Sequence, residues 1–159
     1  DLVRSRGLGD VYKRQSLQAA LSLSQAAEFV DKYPEKAAHP IAQLGRNVSG
    51  GQKQRLSIAR ALARTPEILI FDDSFSALDY KTDATLREGL AKELPGTTKI
   101  IVAQRISTIR NADQILVLDR GEIAGLGTHD ALMASCTVYR EIAMSQLSEE
   151  ELKKGGASK

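Results

Sequence analysis

Residues 48–79 read VSGGQKQRLSIARALARTPEILIFDDSFSALD, and the order of features in this stretch decides the fold class. The pair Gly50–Gly51 precedes a helical pattern through about Ala63, in which apolar residues share one face. Pro66 ends the helical pattern. An apolar strand, Ile68–Phe71, follows and is succeeded directly by two acidic residues. A glycine turn at a helix start can receive an anion, and acids after a strand lie at the edge where open α/β sheets bind ligands.

The flanking sequence continues the alternation of helices and strands. Few breakers occur between Ser16 and about Lys32, which predicts one helix there, ended by Pro34. Downstream, the patterns predict a helix from about Tyr80 to Leu94 capped by Asp79, strand Thr98–Ala103, a short helix near Ser107–Asn111, strands Ile115–Leu118 and Glu122–Leu126 around an Arg120–Gly121 turn, and helices from Thr128 to about Met133 and Val138 to about Leu147. This alternation predicts an α/β fold with a mostly parallel sheet and flanking helices.

Composition is that of an ordinary globular chain: of the 159 residues, 42% are hydrophobic and 26% charged. No apolar run approaches the roughly 20 residues that a membrane-spanning helix needs. Residues 1–15 carry the whole formal charge of +2, so the neutral remainder offers no electrostatic case for nucleic acid or anionic lipid. The single cysteine, Cys136, excludes an internal disulfide and suits a reducing cytosol.

Six segments, in chain order, resemble the motifs of the ATP-binding domain of ABC transporters. They are Val48–Arg55 (signature), Ile68–Asp73 (Walker B), Ser76–Asp79 (D-loop), Val102–Thr108 (switch segment), Asp119–Ile123 (closing hairpin) and Gly127–Leu132 (the helix after it). The resemblance covers essentially all of residues 16–147. It implies an incomplete P-loop NTPase domain that lacks the phosphate-loop strand, because no G-x-x-x-x-G-K-[ST] occurs in the chain.

Each motif taken alone also has a purely structural interpretation. An isolated Ser-Gly-Gly is more often a flexible turn before an amphipathic helix. Acids after a buried strand are about as often a solvated loop. Asp79 serves as a helix cap under either interpretation. The ordered set, and no single motif, favours the functional interpretation.

The resemblance implies a role for individual residues at a site shared by two ATP-binding domains. The residues implied to contact ATP are Ser49, Gly50, Gly51 and Gln52 of the signature, and Ser76, Ala77, Leu78 and Asp79 of the D-loop. Asp72 is implied to hold Mg²⁺, a hard cation that prefers oxygen ligands. The implied catalytic positions are Asp73 and Gln104.

Both catalytic positions depart from the family pattern. Asp73 stands where the family normally has the glutamate that polarises the attacking water, and a misplacement of about 1 Å can cost on the order of 10²-fold in rate. Gln104 stands where histidine is usual, and its amide cannot titrate near neutral pH. Together they predict a site that holds MgATP but hydrolyses it slowly, as in the degenerate half of a heterodimeric multidrug exporter. The intact signature is expected to complete the partner's competent site.

The switch segment narrows the subclass. Arg105–Thr108 resembles the exporter type, whereas importers typically carry His-Asp here. The implied protein is an ATPase at the cytoplasmic face of the plasma membrane, whose partners are a second half-transporter and its own transmembrane domain, with no nucleic acid. An SMC-type or DNA-repair ATPase is a weaker alternative, because those proteins carry a long coiled coil before the signature and residues 16–47 show no heptads. A regulatory module that binds nucleotide without transport is a second alternative. His129 is expected to be a surface residue at a helix start.

The ends of the chain set the expected boundaries. Residues 5–15 resemble one reading frame of a transposase adapter, so 1–15 are expected to be non-native; a real basic arm is the alternative. Residues 16–63 are expected to form a helical subdomain, 64–147 the core and 148–159 a polar tail. A chain without the phosphate loop is expected neither to bind ATP tightly nor to hydrolyse it alone, and to expose unpaired strand edges. Strand Thr98–Ala103 is then not expected to pair with Gln114–Leu118.

Overall fold

The computed structural model describes residues 16–146, so the predicted adapter segment and polar tail lie outside the described residues. The helices are α1 (16–23), α2 (Ala27–Val30), α3 (Gly50–Leu62), α4 (Tyr80–Glu93), α5 (Ile106–Ile109), α6 (His129–Ser135) and α7 (Thr137–Gln146). The strands are β1 (Ile68–Asp72), β2 (Thr98–Val102), β3 (Ile115–Asp119) and β4 (Glu122–Gly127). The 3-10 helices Lys36–Ala38 and Gln43–Gly45 lie between α2 and α3.

These elements fall into two compact units, the first ending at Val102 and the second starting at Ala103. In the first unit β1 pairs with β2 in parallel, with Ile70 opposite Ile100. In the second, β3 and β4 form an antiparallel hairpin. Within the described residues β2 and β3 therefore belong to different sheets, as expected from the sequence. The fold is α/β, with two small sheets and flanking helices.

None of the helices between residues 16 and 146 is both long enough and apolar enough to cross a membrane.

The first unit is held together by one apolar cluster that joins its helices to its sheet. Helix α3 contributes Ile58, Ala59 and Leu62, and β1 contributes Leu69 and Phe71, all of them buried. Full burial of one such aliphatic or aromatic side chain stabilises the fold by about 1.5–3 kcal/mol. The same residues that produce the helical period of α3 and the alternation of β1 thus form the base on which the loops of the site rest.

The predicted helix from Ser16 to about Lys32 is wrong: α1 ends at residue 23 and α2 begins at Ala27. The break is a Schellman motif, in which Gln25 has φ 60° and the amide of Ala26 donates to the carbonyl oxygen of Leu21 at 2.8 Å. Glycine normally occupies this left-handed position. Because residue 25 is a glutamine, the local sequence did not indicate the break.

Tertiary contacts from α3 hold this break in place. The Arg55 guanidinium donates to the carbonyl oxygen of Gln25 and to the Glu28 carboxylate, both at 3.0 Å. It also lies 4.9 Å from the centre of the Phe29 ring, in a cation–π contact. Arg55, the last residue of the signature segment, therefore fixes the α1–α2 turn and contributes to the first unit's core.

The second unit has its own core, in which Leu132, Tyr139 and Ala143 are almost fully buried. His129 begins α6 as predicted, and its ring also has a partner in this core. Its Nδ1 lies 2.8 Å from the Tyr139 hydroxyl, and the ring is half-buried. Burial lowers the pKa of the His129 imidazole from its ordinary value of 6.5, and the nearby Arg110 charge lowers it further.

Each sheet covers one apolar face and leaves the other exposed among the described residues. On β1, Leu69 and Phe71 are buried whereas Ile68 and Ile70 are exposed. The other exposed apolar strand residues are Ile100 and Val102 on β2, Leu116 and Leu118 on β3, and Ile123 and Leu126 on β4. Strands that expose apolar residues on their second face are typical of sheets covered on both sides in a complete domain.

Candidate functional site

The glycine turn that opens α3 is organised by a capping box. The Ser49 hydroxyl accepts from the amide of Gln52 at 3.2 Å, and the Gln52 side-chain oxygen accepts from the amide of Ser49 at 2.9 Å. The amides between them, those of Gly50 and Gly51, have no intrahelical acceptor because they belong to the first turn. Ser49 and Gly50 are exposed, so the positive end of the α3 dipole faces outward.

The packing around Gly50 differs from that around Gly51. A Cβ built on Gly51 would lie 3.0 Å from the carbonyl oxygen of Ala77, closer than side chains normally approach. A Cβ on Gly50 would lie 3.9 Å from the Ala77 side chain, an ordinary contact. Internal packing therefore favours glycine at position 51 but leaves room for a side chain at position 50.

The acidic turn follows β1 directly. The amide of Asp73 donates to the carbonyl oxygen of Val102 at 3.1 Å, which extends the pairing of β1 with β2 by one bond. Asp73 has φ 47°, a left-handed conformation that aspartate adopts several-fold more readily than most residues. Asp72 and Asp73 line a cleft of about 340 Å³ together with residues of α3, among them Gln54 and Ser57.

Gln54 joins the signature helix to the acidic turn, a role that the sequence analysis missed. Its side-chain nitrogen donates to the Asp73 carbonyl and to the Ser76 hydroxyl, both at 3.3 Å. Its side-chain oxygen accepts from the amide of Ala77 at 3.1 Å. These bonds span 19 to 23 residues of sequence, so no local pattern announces them. The signal in the sequence was a polar residue one helical turn before the apolar Ile58.

The D-loop segment packs between this turn and α4. Leu78 is buried in the core, whereas Ser76 donates to the Asp73 carbonyl at 3.0 Å. Asp79 caps α4 as predicted, accepting from the Thr82 hydroxyl at 2.6 Å and from the Thr82 amide at 3.0 Å. These hydrogen bonds, the hydroxyl bond foremost, hold the pKa of the Asp79 carboxyl below its ordinary value of 3.8.

Gln104, the second predicted catalytic residue, lies in the second unit, and its side chain is exposed. Its backbone carbonyl accepts from the side-chain nitrogen of Gln146 at 2.8 Å. The Gln146 side-chain oxygen accepts from the amide of Ile106 at 2.9 Å, at the start of α5. The sequence places Gln146 in the predicted closing helix and indicates no further role for it.

The acidic turn fits a magnesium ion only as a minimal ligand set. The Asp72 carboxylate is exposed at the carboxyl end of β1, and its donors are the oxygens that Mg²⁺ prefers. Within residues 16–146 no group of three or more His, Cys, Asp or Glu residues could hold an ion by itself. Mg²⁺ characteristically keeps several waters and takes one or two carboxylates plus phosphate oxygens, so Asp72 suits that role.

The first unit thus brings together three of the predicted segments. The signature start contacts the D-loop at Ala77, and Gln54 bonds both the D-loop and the acidic turn. The result is a helix N-terminus and a pair of carboxylates on one rigid frame. The second unit carries the switch position on a backbone fixed by Gln146.

Comparison with known proteins agrees with this arrangement. The family model described as ABC transporter matches residues 6–76. That match begins inside the segment predicted to be non-native, whose origin stays a prediction. An uncharacterized ABC transporter ATP-binding protein of Mycobacterium tuberculosis is 46% identical over 140 residues, which are 88% of this chain and 24% of the relative.

Two further relatives point to exporters. The ATP-dependent lipid A-core flippase of Haemophilus influenzae is 41% identical over 139 residues, 87% of this chain and 24% of the flippase. The solved structure of a bacterial Atm1-family ABC exporter with ATP bound superposes with a TM-score of 0.81 at 36% identity, over 86% of this chain and 24% of the exporter chain. The chain thus spans about a quarter of the length of these relatives.

The ordered motifs, the framework that joins them and the relatives lead to one family. The chain belongs to the ABC transporter family, as part of an ATP-binding domain homologous to those of ABC exporters.

Proposed function

We propose that this chain is part of the ATP-binding subunit of an ABC exporter and couples MgATP binding and hydrolysis, at an interface between two such domains, to export across a membrane. The observation that carries the proposal is the frame built around Gln54, which holds a helix N-terminus and two carboxylates in one unit. Such a frame suits nucleotide phosphates, because the helix dipole attracts anions and a carboxylate can hold the accompanying Mg²⁺.

Gly50 supports a role for the signature in a partner's site. Packing within the chain leaves room for a Cβ at Gly50, so the chain's own fold does not require glycine there. A phosphate that approaches the exposed amides of α3 from another protomer would require it, because a side chain would block close approach. Ser49 adds a hydroxyl that can donate to the same anion, since its oxygen already accepts from Gln52.

The chain's own site is proposed to be hydrolytically weak. Asp73 is shorter by one methylene than glutamate, and its carboxylate stands on a backbone that Gln54 and Val102 restrain, so it cannot readily advance to compensate. Gln104 can hydrogen-bond a γ-phosphate but cannot become charged near neutral pH. Asp72 would hold Mg²⁺, which supplies electrostatic stabilisation of the transferring phosphoryl group.

The proposed assembly follows from the same arrangement. A chain whose own site is weak but whose signature is sound suits a heterodimer, in which that signature completes the site of a partner that supplies glutamate and histidine. The subunit would act at the cytoplasmic face of the plasma membrane, attached to a transmembrane domain. The 159-residue chain contains no phosphate-loop motif, and by itself is proposed to bind ATP weakly and not to hydrolyse it.

The test uses the intact transporter and its partner, reconstituted together in lipid nanodiscs. Gly50→Asp places a carboxylate at the anion-facing end of α3 and is expected to reduce ATP turnover about 10²-fold or more. Gly50→Ala adds the same Cβ without charge and is the matched control, expected to keep more activity. In the same pair, Asp73→Glu combined with Gln104→His is expected to raise turnover, because it adds hydrolysis at this chain's own site to that at the partner's site.

Two results would contradict the proposal. An ATPase rate unchanged by Gly50→Asp would show that this signature serves no partner site. A rate unchanged by the combined Asp73→Glu and Gln104→His variant would show that these two positions do not limit hydrolysis. Low-micromolar ATP binding by the 159-residue chain alone would separately contradict the proposal of weak binding.

A further inference from the structure

Helix α7 reaches the switch segment through one side chain. The Gln146 amide group makes two hydrogen bonds at once: its nitrogen donates to the Gln104 carbonyl at 2.8 Å, and its oxygen accepts from the Ile106 amide at 2.9 Å. The two bonded residues flank Arg105, the N-cap of α5. Both bonds have good length, and they connect residues 40 and 42 positions apart in the sequence.

The bond to Ile106 replaces the missing cap of α5. Arg105, at the N-cap position, makes no side-chain capping bond, and the Ile106 amide begins the helix without an intrahelical acceptor. Gln146 supplies that acceptor from the end of α7. The side chain of Ile106 is itself buried in the core that α7 helps to form, so the anchor and the helix it caps share one packed unit.

The bond to Gln104 fixes the backbone from which the switch side chain extends. The Gln104 side chain is exposed and free of steric support from a core, so its direction depends on the backbone on either side. Because the carbonyl of Gln104 and the amide two residues later bind one rigid amide plane, rotation of the intervening peptide groups would break at least one bond. Gln146 thus restricts the directions that the switch side chain can take.

We infer that Gln146 is a positioning residue: the end of α7 sets the orientation of the switch residue at position 104 toward the terminal phosphate. The inference rests on the proposed function, since it needs Gln104 to face nucleotide. Under this inference, the orientation of the switch segment depends on α7, the last helix of the described residues. Any movement of the end of α7 would then change the geometry at position 104 without contact with the nucleotide.

The experiment uses the intact transporter with its partner and combines two measurements. The first is amide hydrogen exchange at residues 104–106. The second is the gain in ATPase rate produced by Gln104→His, measured with Gln146 present and with Gln146→Leu. Gln146→Leu is expected to accelerate exchange at the Ile106 amide about 10-fold. It is also expected to reduce the gain in ATPase rate about 5-fold or more, because a misplacement of a catalytic group by about 1 Å can cost on the order of 10²-fold in rate. The KM for ATP is expected to change less than twofold.

Val138→Ala is the matched control. Val138 lies on α7 and is partly buried against the same core, so its truncation weakens the packing of α7 without removing either Gln146 bond. It is expected to leave the gain from Gln104→His intact. A control that reduces the gain as much as Gln146→Leu does would show that general loosening of α7 is responsible and would overturn the inference.

The remaining outcomes separate the inference from the proposed function. Unchanged exchange at Ile106 in Gln146→Leu, or faster exchange with the full gain retained, would overturn the positioning role and leave the proposed function standing. No gain from Gln104→His even with Gln146 present would overturn the role proposed for position 104, and the positioning role with it.

Discussion

Two glutamines, one in each unit, hold the backbones of the two predicted catalytic residues in the same way. Gln54 donates to the carbonyl of Asp73 and accepts from the amide of Ala77. Gln146 donates to the carbonyl of Gln104 and accepts from the amide of Ile106. In both cases a helix places one planar amide against a loop and satisfies a backbone donor and acceptor together.

The two loops differ in how many other bonds support them. The Asp73 carbonyl also accepts from the hydroxyl and the amide of Ser76, and the Asp73 amide donates to Val102. In the switch segment, Gln146 bonds the Gln104 carbonyl and the Ile106 amide from the end of α7. Several bonds thus support the acidic turn, which allows it to hold a left-handed residue.

The largest expected effect tests this difference directly. Replacing Gln146 by leucine is expected to lower the free energy of local opening at residues 104–106 by about 1–3 kcal/mol, because two backbone groups lose their partner. Gln54→Leu is expected to lower that of residues 73–77 by only about 1 kcal/mol, since the Ser76 and Val102 bonds remain. Native-state hydrogen exchange on both variants gives both values. Equal effects, or a larger one for Gln54→Leu, would show that the extra bonds do not support the acidic turn.

A smaller effect is expected from the backbone conformation at the two predicted catalytic positions. Asp73→Val places a β-branched residue at φ 47° and is expected to destabilise the acidic turn by about 1–2 kcal/mol. Asp73→Asn tolerates the left-handed conformation and is expected to cost less than about 0.5 kcal/mol. Gln104→Val is the matched change in the second unit, where the residue has no positive φ and no such penalty. Thermal unfolding of the three variants would rank them, and a harmless Asp73→Val would remove the claim of strain.

The smallest expected effect is a difference in the pH at which the two units weaken. The pKa of His129 is lowered in the folded state, so the unfolded chain binds the proton more readily and the second unit loses stability as pH falls below about 6.5. The pKa of Asp79 is also lowered, but from 3.8, so its contribution to the first unit persists until far more acidic conditions.

Hydrogen exchange between pH 7 and pH 5 measures this difference, once the intrinsic pH dependence of exchange is subtracted. Protection is expected to decline around α6 and to remain constant around the start of α4. Tyr139→Phe, which removes the hydroxyl beside His129 while keeping the ring, is the control for the hydrogen bond as opposed to burial. A decline confined to α4, or none at α6 in the unmodified chain, would contradict the assignment.

The local elements of the site were predictable from the sequence because each depends on residues close together in the chain. The start of α3 at Gly50 and the Asp79 cap use contacts of three residues or fewer, and the strand before Asp72 is visible as a run of apolar residues. The family followed from the order of these elements. Local patterns did not predict the α1–α2 turn, where Gln25 adopts a conformation usually reserved for glycine.

The sequence by itself determined which residues are candidates for the chemistry, because side-chain type and the period of helices and strands follow directly from the order of residues. Only the tertiary structure decided how those residues are held. Gln54, Arg55 and Gln146 act on backbone groups 19 to 42 residues away, and a hydrogen bond across such a separation depends on packed helices and has no local period. The half-burial of His129 against Tyr139 was decided in the same way, by a core that forms only when α6 and α7 pack together.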